Sequence, residues 1–401
     1  MISSHEVCRA RALLPGILRR PESAARLPPE RWDLVIRQAR QAGVLARLCF
    51  QLDDLGLLTE VPERPRRHLE AARTLAVKHA RDVRWELSCL CSALADRELT
   101  ITLLKGAAYL MADLPPARGR LFSDIDILVP RDRIDEVEES LVEAGWGPGV
   151  KDAYDQRYYR RWTHQIPPLQ HLRRGSVLDV HHTIVPPTAR TPVNAATLTV
   201  DSLPLPLDTR LRVLAPADMV LHSAVHLFSE GEFDRGLRDL LDLSDLLSQF
   251  GRRAGFWQSL DSRAEALGLT EPLYLTLRYL DRLLALPTPA PLHDAVRRWQ
   301  PPALSRSALD ALFDRALLPN HDSCNDYLSA TARWLLYVRA HHLRMPLHLL
   351  VPHLVRKSFR RPAAQENDDR RRRRAQVEQV LRAARAPRPG ATTANAAQMR
   401  E

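Results

Sequence analysis

The sequence has 401 residues, 45% of them hydrophobic, which is enough for a sizeable core and two or three structural units. Its formal net charge of +10 lies mainly after residue 355, where thirteen Lys or Arg stand against five Asp or Glu. The rest carries only about +2, which excludes a strongly basic nucleic-acid-binding face on the folded part. No run approaches the roughly 20 apolar residues of a membrane span, and the N-terminus lacks the apolar core of a signal peptide. We therefore expect a cytoplasmic protein.

The cysteine content supports this location. The five cysteines are scattered along the chain, and none of them stands at a metal-binding spacing. Structural thiols in a reducing compartment are the expected interpretation.

Apolar residues recur at helical spacing through the N-terminal region, residues 1–98. A proline-bearing stretch at 61–65 interrupts the pattern, and a long helix is predicted over 69–94. No residues in this region have a catalytic spacing. We expect it to pack on the core and to wall one side of a cleft.

A mixed α/β core is predicted over residues 99–200. Two β-prone runs, 101–104 and 125–129, alternate with helices over 107–114 and 131–144, and a further strand is expected at 175–181. Residues 154–162 are interpreted as a variable stretch rich in Tyr and Arg. Adjacent antiparallel strands would bring Asp179 to the same edge of the sheet as Asp126.

The C-terminal part, residues 201–355, is predicted to be mainly helical after a proline-rich linker at 185–206. Apolar residues have a helical period in several segments, namely 216–230, 237–250, 257–267, 273–286 and 309–318. The basic stretch from 356 to 401 is predicted to be disordered.

The chemistry-bearing residues lie between positions 103 and 129. Asp124 and Asp126 stand two positions apart at the start of an apolar run, so both carboxylates would point the same way on a strand. A surface turn is the alternative, but a buried strand fits the apolar flanks better. Lys105 and Gly106 precede a helix, where backbone N–H groups favour anions and glycine lets a phosphate approach. Together these residues predict Mg²⁺, which bridges carboxylates to substrate phosphates.

These residues also resemble a known superfamily. The series Lys105-Gly106, Arg120-Leu121-Phe122-Ser123-Asp124-Ile125-Asp126 and Leu178-Asp179-Val180-His181 is similar to the motifs of DNA polymerase β-type nucleotidyltransferases. More narrowly, the chain resembles a bacterial group of uncharacterised nucleotidyltransferases. The resemblance implies an α/β (α+β) core with a mixed sheet, flanked by mainly helical N- and C-terminal regions. Ala107 is a departure, because the superfamily usually has serine there.

The resemblance implies Mg²⁺-dependent nucleotidyl transfer from a nucleoside triphosphate, with ATP as the expected donor and Mn²⁺ as an alternative metal. Asp124 and Asp126 would hold two metal ions roughly 3.5–4 Å apart, and Asp179 would complete the second site and help deprotonate an acceptor hydroxyl. The residues implied to bind the nucleotide are Lys105, Gly106, Arg120, Ser123, Arg238 and Asp242.

Several of these residues have structural alternatives. Arg238 and Asp242 are four positions apart on a predicted helix and would form a surface pair if they do not face the cleft. His222 and His226 have the same spacing, but the sequence shows no third ligand at a recognisable metal spacing, so packing is favoured. His181 is expected to be a structural histidine or to orient Asp179.

The acceptor class is suggested only by charge. A nearly neutral body without an evident stacking platform favours a small molecule, peptide or protein acceptor over a polynucleotide. Two other functions stay open: an inactive nucleotide-binding or regulatory module, suggested by Ala107, and a helical interaction protein whose basic tail recruits nucleic acid.

Overall fold

The computed structural model describes residues 4–149, 153–206 and 208–346. The predicted disordered tail, 356–401, lies outside these ranges. Among the described residues, no helix is both long and apolar enough to cross a membrane.

A seven-stranded mixed sheet forms the centre of the fold, in the order β3-β4-β5-β2-β1-β7-β6. The strands are β1 Ile101–Leu103, β2 Ile125–Leu128, β3 Trp146–Pro148, β4 Leu169–His171, β5 Val177–His181, β6 Leu203–Pro204 and β7 Leu211–Val213. All residues of β1 and β2 are buried, as expected of central strands covered on both faces. The predicted fold class, a mixed α/β core flanked by helices, is confirmed.

The pairing of β2 corrects one prediction. It lies antiparallel to β1 but parallel to β5, with Asp126 directly opposite Asp179. The strands were expected to be adjacent and antiparallel. A parallel pair needs a crossover connection, and here the chain passes through two helices and two further strands before it enters β5.

The sheet extends beyond the predicted boundary at residue 200. β7 lies parallel to β1 and β6 pairs with β7, so two strands come from the region predicted to be helical. The proline-rich stretch before them carries a short helix, and its Val193, Leu198 and Leu205 are buried in the core. Because this stretch is rich in proline, the sequence predicted a linker, and these apolar residues were not assigned to the core. The described residues up to Pro346 form one compact unit.

Four N-terminal helices pack around the core. They are α1 Ser4–Arg19, α2 Pro29–Ala42, α3 Leu45–Asp54 and α4 Glu63–Ala93. The long helix begins earlier than predicted because Pro65 lies in its first turn, where a missing N–H is tolerated. α4 contacts two helices of the core, α5 Lys105–Met111 and α6 Ile134–Glu143.

The core helices are α5 Lys105–Met111, α6 Ile134–Glu143, α7 Ala153–Trp162 and α8 Ala195–Val200. α5 begins two residues before its predicted start and ends three residues earlier. The stretch predicted to be variable forms α7. A 3-10 turn, Arg131–Arg133, precedes α6.

The C-terminal helices surround α9, which is buried on almost every side. They are α9 Pro216–Ser229, α10 Gly236–Phe250, α11 Phe256–Ala266, α12 Thr270–Leu284, α13 His293–Trp299, α14 Ala303–Ala316 and α15 Ser329–Arg344. α9 packs against α10, α11, α12 and α15, and its Asp218 and His222 are buried together with its apolar residues. Because α1 also contacts α12, and α2 contacts α10, the two helical regions form one body with the sheet.

The loop between α5 and β2 supplies a test of this packing. Gly119 has φ +77°, and a Cβ there would lie 2.6 Å from the backbone nitrogen of Arg47 on α3. Gly56 has φ +70° with no atom within 4 Å of its virtual Cβ. Gly56→Ala should cost about 1–2 kcal/mol of backbone strain. Gly119→Ala should cost a further ~1–3 kcal/mol from overlap.

Urea unfolding of the two variants beside the wild type measures this difference. Equal losses of unfolding free energy would contradict the close approach of the loop to α3.

Candidate active site

Asp126 occupies the centre of the site, in a strand that is buried on both faces. The Lys105 ammonium donates to its Oδ1 at 3.2 Å, and His181 Nε2 lies 3.0 Å from the same oxygen. Burial alone would raise the pKa of Asp126, but Lys105 and His181 lower it further than burial raises it, so the carboxylate is ionised. His181 thus orients Asp126 rather than Asp179, which corrects its predicted partner.

Asp179 lies beside Asp126 on the neighbouring strand. Burial, followed by the charges of Asp126 and Asp124, raises the pKa of Asp179 to about 8. Its Oδ1 is buried and has no hydrogen-bond partner in the described part of the chain. Asp124 is exposed just before β2, where Ser123 Oγ donates to its Oδ1 at 3.0 Å. The structure therefore brings all three predicted carboxylates to the end of the sheet where β2 begins.

Lys105 connects this cluster to α5. Its φ of +43° is unusual for a residue with a side chain, so its backbone is strained. Burial would lower the pKa of Lys105, but Asp126, Glu230 and Asp124 raise it above its usual value, and the ammonium stays charged. The Leu104 N–H donates to the Asp126 carbonyl at 3.0 Å, so the β1–α5 turn and β2 hold each other in place.

Gly106 and Ala107 lie in the first turn of α5 and are buried. A Cβ at Gly106 would lie 3.0 Å from Arg120 Nε and 3.1 Å from Phe122, so the glycine makes room for the loop that leads to β2. Ala107 is 1% exposed, and its methyl group belongs to the core. At this position, where the superfamily usually has serine, the chain therefore has no hydroxyl group.

Arg120 and Asp242 form a second buried charge cluster. Arg120 pairs with Asp242, which also accepts from Arg47 Nη1 at 3.3 Å. Arg238 pairs with its neighbour Asp239 at 2.7 Å and not with Asp242, so the predicted i, i+4 pair is absent. The structure places Arg120 and Asp242 between α5, α3 and α10 and joins them to each other. Their predicted contact with nucleotide stays a prediction.

Sequence reasoning named His222 and His226 but missed Glu230, the carboxylate that follows α9. His226 Nδ1 lies 2.6 Å from a carboxylate oxygen of Glu230, which follows the last residue of α9. Burial would raise the pKa of Glu230, but His226 and Lys105 hold it well below its usual value. His222, His226 and Glu230 are spaced by four residues, and this spacing was the available signal. His226 pairs with a carboxylate, as a packing role predicts.

His164 also belongs to this neighbourhood. Its ring stacks on His181 with centroids 5.1 Å apart and an interplanar angle of 25°. Burial, then the charges of His181 and Lys105, lowers the pKa of His164 well below its usual value. A neutral imidazole therefore lies next to the histidine that holds Asp126.

The family comparison matches this geometry. The model of a family described as uncharacterised nucleotidyltransferase matches residues 28–285. The chain belongs to this nucleotidyltransferase family. The match covers the sheet, the carboxylate cluster and the helices α9 to α12, together with the described N-terminal helices α2 to α4. No curated protein and no solved structure matches the sequence.

The carboxylates of this nucleotidyltransferase suit a hard divalent cation. Asp179 has an unpartnered buried oxygen, and like charges raise its pKa; a cation would relieve both conditions. Within the described ranges, no three His, Cys, Asp or Glu side chains are gathered so as to hold a metal by themselves. Mg²⁺ keeps several waters and takes one or two carboxylates plus substrate phosphates, so an open carboxylate pair fits it.

The raised pKa of Asp179 predicts a pH-dependent cost to stability. Its folded pKa of about 8 exceeds the unfolded value near 3.9, so the folded state binds more protons between these values and stability falls as pH rises. In buffer with a chelator, Asp179→Asn should match the wild type at pH 4. At pH 8 the variant should be more stable than the wild type by about 2 kcal/mol. This gain is smaller than the whole pKa difference would give, because water and neighbouring groups screen the charge.

Denaturant unfolding at both pH values measures this effect. Asp96→Asn, in an exposed turn after α4, is the matched control and should show no such gain. A constant difference between Asp179→Asn and wild type from pH 4 to pH 8 would contradict the clustered carboxylates.

Proposed function

We propose that the protein transfers a nucleoside monophosphate from a nucleoside triphosphate, with ATP as the first donor to test, to a hydroxyl-bearing acceptor. The observation that carries the proposal is the register that sets Asp126 opposite Asp179, with Asp124 two positions before Asp126 and Lys105 on Asp126. The family assignment supports the reaction class.

The chain's own residues have distinct parts in this reaction. Asp126 keeps a fixed negative charge because Lys105 and His181 bind it. Asp179 accepts the proton of the acceptor hydroxyl when it is in its carboxylate form, and its raised pKa makes that carboxylate a stronger base. The acceptor oxygen forms a bond to the α-phosphorus, the bond from that phosphorus to the bridging oxygen breaks, and pyrophosphate leaves with the electron pair. Positioning and charge neutralisation carry most of the rate.

Asp124, Asp126 and Asp179 would hold the divalent metal. When bound, it neutralises the triphosphate and polarises the phosphoryl group under attack. Lys105 donates to Asp126, and we propose that it also contacts the triphosphate.

An inactive nucleotide-binding module is the second candidate. It is suggested by the buried methyl group of Ala107 and by the Lys105 ammonium, which already engages Asp126. Such a module would bind nucleotide with metal but would release no pyrophosphate with any acceptor.

Nucleotide binding can be measured first by unfolding with each nucleoside triphosphate, with and without Mg²⁺. A ligand specific for the folded state at a hundredfold excess over Kd adds about 2.7 kcal/mol. We expect this gain in the wild type with Mg²⁺, and less than about 0.5 kcal/mol in Asp126→Asn, because the metal and phosphates lose their central carboxylate.

Asp96→Asn is again the control and should keep the full gain. A metal-independent gain, or a gain that survives Asp126→Asn, would contradict this site. Pyrophosphate release over an acceptor panel then separates the transferase from the inactive module.

A further inference from the structure

A partly open cavity of about 80 Å³ lies beside the carboxylate cluster. It opens between the end of α9, the start of α12, the end of α15 and the loop after β5. Its apolar lining includes Ile184, Val185, Val225, Leu269, Pro272 and Leu343. Polar residues also line it, namely His164, Arg190, Thr191, Ser229, Glu230, Glu271 and Arg344. A folded protein domain or a nucleic-acid helix is too large for this space.

The cavity shares residues with the site. His164, which lines it, stacks on the histidine that binds Asp126. Glu230, also in the lining, acts electrostatically on both Asp179 and Lys105. A molecule seated in the cavity would therefore lie next to the groups to which the transfer reaction is assigned.

Among the described residues that line the cavity, the two glutamates pair with basic side chains, whereas the two arginines have no carboxylate partner. Glu230 pairs with His226 at 2.6 Å, and Glu271 pairs with Arg339 at 2.7 Å. Arg344 donates from Nη2 to the main-chain carbonyl of Glu230 at 2.9 Å, but its Nε is buried without a hydrogen-bond partner. Within the described ranges, neither Arg344 nor Arg190 at the exposed rim has a carboxylate partner.

A buried guanidinium nitrogen without an acceptor is costly, so a bound anion would stabilise it. The surrounding apolar walls would strengthen that contact, because they lower the local dielectric constant. The cavity thus combines apolar walls with one cationic donor, Arg344 Nε, that has no acceptor in the described part of the chain.

We propose that this cavity is the acceptor site, and that the acceptor is a small amphipathic molecule with an apolar body, one carboxylate and a hydroxyl. The carboxylate binds Arg344, the body lies between α9 and α12, and the hydroxyl reaches towards Asp179. This assignment rests on the proposed nucleotidyl transfer. It narrows the acceptor to a small molecule, in place of a peptide or protein.

Two fluorescent probes with the same aromatic body test this assignment in the full chain. One is the anion 8-anilino-1-naphthalenesulfonate, and the other is its neutral counterpart N-phenyl-1-naphthylamine. Arg344→Gln should lower the affinity for the anion at least tenfold and leave the affinity for the neutral probe unchanged. Arg344→Lys should keep part of the affinity for the anion. Ala189→Trp, at the half-buried wall, should weaken both probes. Arg306→Gln on α14, outside the lining, is the control.

Nucleotide titrations separate this proposal from the proposed function. The Mg²⁺-dependent nucleotide gain should be unchanged in Arg344→Gln and Ala189→Trp, and the anion should stay bound when nucleotide is added. An anion affinity that Arg344→Gln leaves unchanged overturns the anionic acceptor. Displacement of the anion by Mg²⁺ and nucleotide overturns the acceptor site, since the cavity would then hold the nucleotide. If the wild type shows no nucleotide gain, the transferase proposal fails, while the probe series still decides whether the cavity binds an anion.

Discussion

The charge of Asp126, buried in a central strand, is the constraint on which the rest of the site depends. An ionised carboxylate at 5% exposure is costly unless cations and donors surround it, and here Lys105 and His181 do so. Lys105 must therefore leave β1 at a strained turn, and β5 must lie directly beside β2. The same arrangement pushes Asp179 towards its neutral form. Asp126 therefore keeps its charge, and burial together with that charge raises the pKa of Asp179.

A second group of buried charges ties the distant parts of the chain together. Arg47 of α3 and Arg120 before β2 both pair with Asp242 of α10, and Arg47 also pairs with Asp245. Removing one member would leave a buried charge uncompensated, at a cost of about 3–5 kcal/mol. The helical regions on either side of the core are therefore part of one electrostatic framework, and they fix the loop that carries Ser123 and Asp124.

Local patterns predicted most of the helices, the first two strands and the convergence of the three aspartates. They did not predict the strand at Leu211–Val213, whose partner is β1, or the direction of β5, since both depend on contacts far apart in sequence. Arg120 and Asp242 were interpreted as nucleotide contacts, although the structure joins them to each other. The four-residue spacing of His222, His226 and Glu230 was a signal for Glu230, but it does not show that Glu230 lies near His164, which is far away in sequence.

The parallel pairing of β1 with β7 has a consequence for how the chain folds during synthesis. Ile101 pairs with Leu211, so one edge of β1 has no strand to bind until the ribosome has made the residues between them. At about 5–20 residues per second this interval is on the order of ten seconds. An apolar strand with an open edge is prone to pair with other chains. Until β7 is made, that edge of β1 is therefore available for pairing with other chains, unless a chaperone covers it.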